Sequence, residues 1–307
     1  MPGRPLVDEP IVARLLSRCT FPPAGSHVTC AVSGGADSLA LLVLAVAAGC
    51  HVTAVHVDHG LREGSADEAE VVVALANRLG AAVRCERVAV APGSNLEARA
   101  RSARFGVLPP DVLTGHTMDD QAETVIVNLL RGAALDGLAG MSPAGHPLLG
   151  LRRSDTHELC RVLGLVPVND ITNDDPRFLR NRVRHDVLPL LDDAARRDLA
   201  PVLARQAELL RDEAALLDAL ADALDPTDAR ALADAPIALA RRAVRRWLST
   251  AAHEAGEPAC SSERASAHPP DAAAIERVLA VARGEAVACE LAGGRRVVRS
   301  GQRLRLH

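Results

Sequence analysis

The chain has 307 residues, 48% of them hydrophobic and 24% charged, with a formal net charge of −4. That is room for about two domains and the composition of a globular protein, and it excludes one that coats nucleic acid by bulk attraction. All 35 basic residues are arginine, which excludes a Walker-type phosphate loop and Schiff-base chemistry, since both need a lysine. No stretch approaches the roughly 18 apolar residues of a membrane span, and Met1 to Pro10 carries no apolar run, so a cytoplasmic protein is expected. Seven cysteines at 19, 30, 50, 85, 160, 260 and 289 include no C-x-x-C pair. They read as small buried hydrophobes rather than a disulfide framework or zinc site.

In chain order, Val28–Val32 is the first strand expected, followed by a turn and an apolar helix over Ser38–Ala48. His51–Asp58 is the second strand. Ser65 and Glu68 have capping-box spacing and open a helix to Leu79. Ala82–Val90 is the third strand, and Ser94 and Glu97 open a further helix to about Leu108. Val112–Thr114 is a short strand and Asp119–Leu130 a helix. Strands alternating with single helices predict a parallel sheet of about five strands with helices on both faces. In such sheets chemistry sits beyond the carboxyl ends of the strands, here after Val32, Val57 and Thr114.

Beyond Leu149 the pattern turns helical, with helices expected over Ser154–Leu163, Arg177–Leu191, Arg196–Leu224 and Leu239–Ala252. Residues 253–271 read as a loop. Ala288–Leu291 and Arg295–Arg299 flank Gly293-Gly294 like a β-hairpin. The expected division is an α/β domain over 1–191 and a smaller, mainly helical domain over 192–307.

Three strings carry chemistry at the strand ends. Ser33-Gly34-Gly35-Ala36-Asp37-Ser38 lies where a strand becomes a helix. Glycines permit a tight turn that aims N–H groups at an anion, the helix N-terminus adds its dipole, and Asp37 is suited to Mg²⁺. A plain strand-to-helix turn has the same small residues. His56-Val57-Asp58-His59-Gly60-Leu61-Arg62 ends the second strand and reads equally as a junction with a solvated arginine. Gly115-His116-Thr117-Met118-Asp119-Asp120-Gln121-Ala122-Glu123-Thr124 puts two adjacent carboxylates at a helix start. They can ligate Mg²⁺, orient an amine, take its proton, or merely cap the helix. Arginines at 99, 101 and 104, and at 177, 180, 182 and 184, form basic helix starts.

The first string resembles the loop of the N-type ATP pyrophosphatases, which split ATP into AMP and pyrophosphate. H-V-D-H-G-L-R resembles the corresponding segment of the lysidine synthetases within that group. So do Glu97–Phe105 (E-x-x-A-R-x-x-R-Y, with Phe105 for tyrosine), Gly115–Thr124 continuing through Arg131 to Met141, and Asp170–Arg184. Thr117 stands where that family has a second histidine, and Thr172 where it has serine. The resemblance is strong over about residues 28–191.

It implies an adenine-nucleotide alpha-hydrolase-like fold and ATP-dependent ligation of L-lysine to the wobble cytidine of a CAU-anticodon tRNA(Ile), with Mg²⁺. It implies ATP contacts from Ser33 to Ser38, His56, Asp58, Gly115 and His116. Catalytic positions would be Asp37, Arg101, Asp119, Asp120 and Arg184, with Mg²⁺ on Asp37 and Asp120. Lysine or tRNA would meet His59, Arg62, Arg104, Glu123, Arg131, Arg180 and Asn181. Alternatives are a tRNA thiolase of the same loop family and a non-catalytic ATP-binding module. With the net charge negative, tRNA affinity is expected from patches: Arg177–Arg184, the Arg241, Arg242, Arg245 and Arg246 cluster, and the arginine-rich tail from Leu291 to His307. No membrane is expected as a partner, and a homodimer is left open.

Overall fold

The computed structural model describes residues 6–58, 65–88, 103, 106–168, 177–254 and 271–307. It forms two compact units, residues 1–208 and 209–307.

In the first unit, helix α1 (Pro10–Leu16) precedes β1 (His27–Ala31), α2 (Ala36–Ala47), β2 (His51–Asp58), α3 (Ser65–Leu79) and β3 (Ala82–Arg87). The strands are parallel in the order β1-β2-β3. Beside β1, the expected strand over Val112–Thr114 is reduced to a bridge: Leu113 pairs with Cys30 in parallel. Three strands and this bridge therefore stand among the described residues where about five strands were expected. The expected Ser94–Leu108 helix lies mostly outside them.

Period-two alternation sends side chains to opposite faces of each strand. Cys30, Val52 and Ala54 enter the main core with α1, α2 and α3. Ala31, Val55 and Val57 point the other way, onto Leu108 and Val112. Both faces are covered, as a parallel sheet requires. Helix α2 is buried almost all round, from Ala36 to Ala45, so it is a central element.

Next come α4 (Met118–Leu130), α5 (Arg153–Val162), α6 (Leu179–Arg182), a π-helical turn (Val183–Val187) and α7 (Leu188–Ala195). The single helix expected over Arg177–Leu191 is thus interrupted by the π turn. Val183 is fully buried there against Ile126 and Val127 of α4.

Helix α8 (Ala200–Ala221) contains the boundary between the units. The second unit holds α9 (Ala229–Asp234), α10 (Ile237–Glu254), α11 (Ala272–Arg283) and strands β4 (Ala288–Glu290), β5 (Arg296–Ser300) and β6 (Arg303–Leu306). The expected hairpin is an antiparallel three-stranded sheet, because Leu304 and Leu306 extend the alternation by one strand. Its core joins Leu232, Val244, Leu248, Ile275, Leu279, Val297 and Leu304. Helix α11 was not anticipated from the sequence.

Candidate active site

The loop from Ser33 to Ser38 follows β1, as the chemistry of the string requires. Gly34 holds φ +91°, a left-handed conformation that favours glycine, and its carbonyl accepts from the Val168 N–H at 3.0 Å. Ser38 Oγ donates to the Gly35 carbonyl at 2.9 Å and accepts from the Ser33 N–H at 3.1 Å. Gly35 is the N-cap of α2 and offers no side chain to its first N–H groups. Ala36 and Asp37 begin that helix, so the loop presents backbone donors at a positive helix end.

Gly115 closes over this turn, and a Cβ there would lie 2.6 Å from the Asp37 carbonyl oxygen. His56 is buried at the end of β2, with its Nδ1 2.9 Å from the Val32 carbonyl. Asp58, the last residue of β2, lies 3.6 Å from Arg87. His116 Nδ1 is 2.7 Å from Thr114 Oγ1, which is also 2.6 Å from His146 Nδ1.

The adjacent carboxylates divide. Asp119 accepts from Arg152 Nη2 at 2.7 Å, from Arg152 Nε and from the Arg153 N–H at 2.8 Å. Burial raises the cost of its charge, but the Arg152 fork and that N–H outweigh it and hold its pKa below the ordinary value. Arg152 also pairs with Asp198.

Asp120 Oδ2 accepts from both the N–H and the hydroxyl of Thr117 at 2.8 Å. Thr117, in the family's histidine position, is therefore a fully buried cap of α4. Asp120 Oδ1 accepts from Arg153 at 2.9 Å and Arg180 at 3.1 Å. Burial opposes its charge, yet Arg180, His116 and Arg153 together keep its carboxyl well below the usual range. Glu123, one turn further and buried, pairs with Arg153 at 3.0 Å and Arg180 at 2.8 Å.

Asp37 faces this cluster with less support. Its Oδ1 accepts from the Thr156 hydroxyl, and its Oδ2 lies 3.9 Å from Arg153. Burial and the nearby Asp120 charge push its pKa up to about 6. A cavity of about 260 Å³ opens beside the cluster, lined among others by Asp119, Glu123, Arg152, Arg184, His185 and Asp192.

The structure thus brings together Ser33–Ser38, Gly115, Asp119, Asp120, Glu123 and Arg180, with Arg184 on the adjoining cavity. Asn181 sits beside Arg180 on α6. Arg131 caps the far end of α4, about 18 Å of helix from Asp119, and is exposed. It is not brought to the cluster. His59, Arg62, Arg101 and Arg104 lie outside the described residues.

Arg152, Arg153 and Thr156, on the first turns of α5 and its N-cap, escaped the sequence reading. A signal was present: cations oppose the dipole at a helix N-terminus, so two arginines there call for neighbouring acids.

The basic patches also resolve. Arg180 points into the acids rather than outward, and Arg242 and Arg246 pair with Asp218, as Arg241 does with Glu276. In the tail, Arg296 pairs with Glu290 and Arg303 with Asp225, while Arg305 has no ion-pair partner among the described residues. Burial pushes the thiols of Cys19, Cys30 and Cys160 up to about 12, whereas Cys85 is exposed, against the expectation of burial.

A glycine-bearing phosphate loop at the carboxyl edge of a parallel sheet defines a nucleotide-binding α/β domain, and a family model described as a PP-loop domain matches residues 9–191. Among curated relatives, the tRNA(Ile)-lysidine synthase of Nocardia farcinica is 47% identical over 245 residues, covering 74% of this chain and 77% of its own. That of Thermobifida fusca is 42% identical over 260 residues, covering 76% and 80%. The chain belongs to the tRNA(Ile)-lysidine synthase family. A solved U34-tRNA thiolase from Methanococcus maripaludis matches 65% of this chain and 78% of its own at TM-score 0.48 and 18% identity.

Proposed function

We propose that this protein ligates L-lysine to the wobble cytidine of a CAU-anticodon tRNA(Ile), consuming ATP. The observation that carries the reading is the meeting of the Asp37 loop with the Asp120–Glu123 cluster at the carboxyl end of the sheet. One side suits a polyphosphate and the other a substrate cation.

In the reaction, the cytosine carbonyl oxygen attacks the α-phosphorus, and pyrophosphate leaves with the bridging oxygen. The ε-amine of lysine then forms a C–N bond at the activated carbon, and AMP departs with the former carbonyl oxygen. The loop N–H groups and serine hydroxyls bind the phosphates and stabilise the charge that builds on the leaving group. Asp120 and Glu123 hold the lysine ammonium until it gives up a proton to water, since only the free amine has a lone pair. Arg184, on the cavity wall, meets phosphate or the adenylated intermediate, and Arg101 is assigned the same part.

The donor set fits Mg²⁺ at Asp37, whose carboxylate is under-compensated, better than at Asp120, both of whose oxygens already accept. Among the described residues no three His, Cys, Asp or Glu side chains are arranged to ligate one metal ion, so phosphate and water oxygens would complete its shell. When bound, Mg²⁺ would neutralise phosphate charge as pyrophosphate leaves.

Among the described residues no helix is long and apolar enough to cross a membrane. The tRNA and ATP that the proposed reaction consumes are the ground for a cytoplasmic location. The thiolase alternative loses support because the thiol that reaches the nucleotide loop, Cys160, is buried and donates to the Ala36 carbonyl at 3.6 Å, and burial pushes the Cys30 and Cys160 thiols up to about 12.

The decisive experiment incubates the protein with ATP, labelled lysine and the tRNA. Label on the tRNA with equal release of AMP and pyrophosphate is expected. AMP release without label, or no AMP at all, defeats the reading.

A further inference from the structure

The first turn of α5 stands between two sets of carboxylates. Arg153 Nη2 donates to Asp120 at 2.9 Å and to Glu123 at 3.0 Å, while its Nε lies 3.9 Å from Asp37 on the nucleotide loop. Its side chain is only 20% exposed. Arg180 also pairs with Asp120 and Glu123, and among the described residues Arg153 adds to the same two pairs a contact to Asp37. Thr156, one turn along, is within donating distance of both Asp37 and the Arg153 carbonyl. The same turn of helix therefore touches the nucleotide loop and the amino-acid carboxylates.

We propose that Arg153 is a positioning residue that makes amino-acid binding depend on nucleotide binding. The inference rests on the function proposed above. Without nucleotide, Arg153 covers Asp120 and Glu123, the groups that receive the substrate ammonium. A second cation entering there would meet a guanidinium already in place. Phosphates on the Ser33–Ser38 loop offer that guanidinium a more highly charged, bidentate partner on the side its Nε already faces. Arg153 turns to them, and two carboxylates are released to the incoming ammonium while Arg180 stays. Because coupling between binding sites is reciprocal, lysine must tighten nucleotide binding by the same factor.

The test is calorimetric titration of the full chain with L-lysine, with and without α,β-methylene-ATP in magnesium buffer. In the wild type the lysine Kd should fall about tenfold when the analogue is present, within the usual span of such couplings. The converse titration should show an equal factor. Arg153→Met should bring the factor close to one, with lysine binding more tightly than wild type when nucleotide is absent. Arg180→Met, which leaves the Asp37 contact in place, should keep the coupling. If Arg153→Met does not fold, Arg153→Lys carries the test, and its factor should lie between one and that of wild type. A wild-type factor of one overturns the proposal, as does a full factor in Arg153→Met or in the substituting Arg153→Lys. Wild-type protein that binds no lysine in either state defeats the proposed function itself, a different result from equal binding in both.

Discussion

Gly115 and Asp37 approach so closely that no side chain fits between them: a Cβ on Gly115 would stand 2.6 Å from the Asp37 carbonyl oxygen and 3.0 Å from the Ser38 nitrogen. The loop after the bridged Leu113 thereby presses on the first turn of α2 and fixes where the nucleotide loop ends. Relief requires one backbone to move, and overpacking of this kind costs about 1–3 kcal/mol. Gly115→Ala should lower the melting temperature and weaken ATP binding at least about tenfold. Gly145→Ala, whose Cβ would enter open space at a loop position, should change neither. Thermal unfolding and nucleotide titration of both variants check this.

Asp37 predicts a pH-dependent difference in stability. Its pKa is raised from 3.8 to about 6, so the native state holds this proton more tightly than the unfolded chain. Its contribution is therefore fully present below about pH 4 and is lost as pH rises through about 6. Asp37→Asn cannot ionise. In nucleotide-free protein it should melt above wild type at pH 7.5, by up to roughly 3 kcal/mol, with the gap closing towards pH 4.5. A constant gap across that range would refute the account.

Asp119 and Arg152 should behave as a brace. Their bidentate pair is partly sheltered, at 20% and 30% side-chain exposure, so coupling below the full cost of a buried pair is expected. A double-mutant cycle with Asp119→Asn and Arg152→Met, read by denaturant unfolding, should return about 1–3 kcal/mol. Coupling near zero would return Asp119 to the set of groups free for substrate.

The tail can be tested for tRNA contact by charge removal. Truncation after Ala252 would cut through one core, since α9, α10, α11 and the three strands share it. Arg305→Ser should instead weaken tRNA binding and reduce the slope against log salt by about one for a lost phosphate contact. Arg242→Ser, whose partner is Asp218, should cost stability and leave that slope unchanged.

Much of the α/β unit is legible because its signals are local. Strand β2 matches its expected limits because Val52, Val55 and Val57 alternate with polar residues and serve both faces. The Ser33–Ser38 turn and the Asp119–Asp120 helix start are contiguous strings. The pairing that decides their chemistry is not contiguous: Arg152 meets Asp119 and Arg153 meets Asp37 only after the carboxyl end of the sheet brings α2, α4 and α5 together. Periodicity also cannot say whether an arginine faces water. Arg180 and Arg242 look like surface cations in sequence, and each is neutralised by acids from another helix. The π turn at Val183 escapes for the same reason, because its fully buried side chain answers to Ile126 and Val127 rather than to its own neighbours.

The cations inside the acidic cluster, Arg153 and Arg180, are both guanidiniums, which stay protonated at any working pH and have no lone pair to offer. An adenylated base is an electrophile, and a primary amine on a nearby side chain would compete with the intended one. This chain has 35 arginines and no lysine, so it carries no side-chain amine that its own intermediate can alkylate. The amine that captures the activated carbon therefore comes from solution, with no lysine of the chain to compete for it.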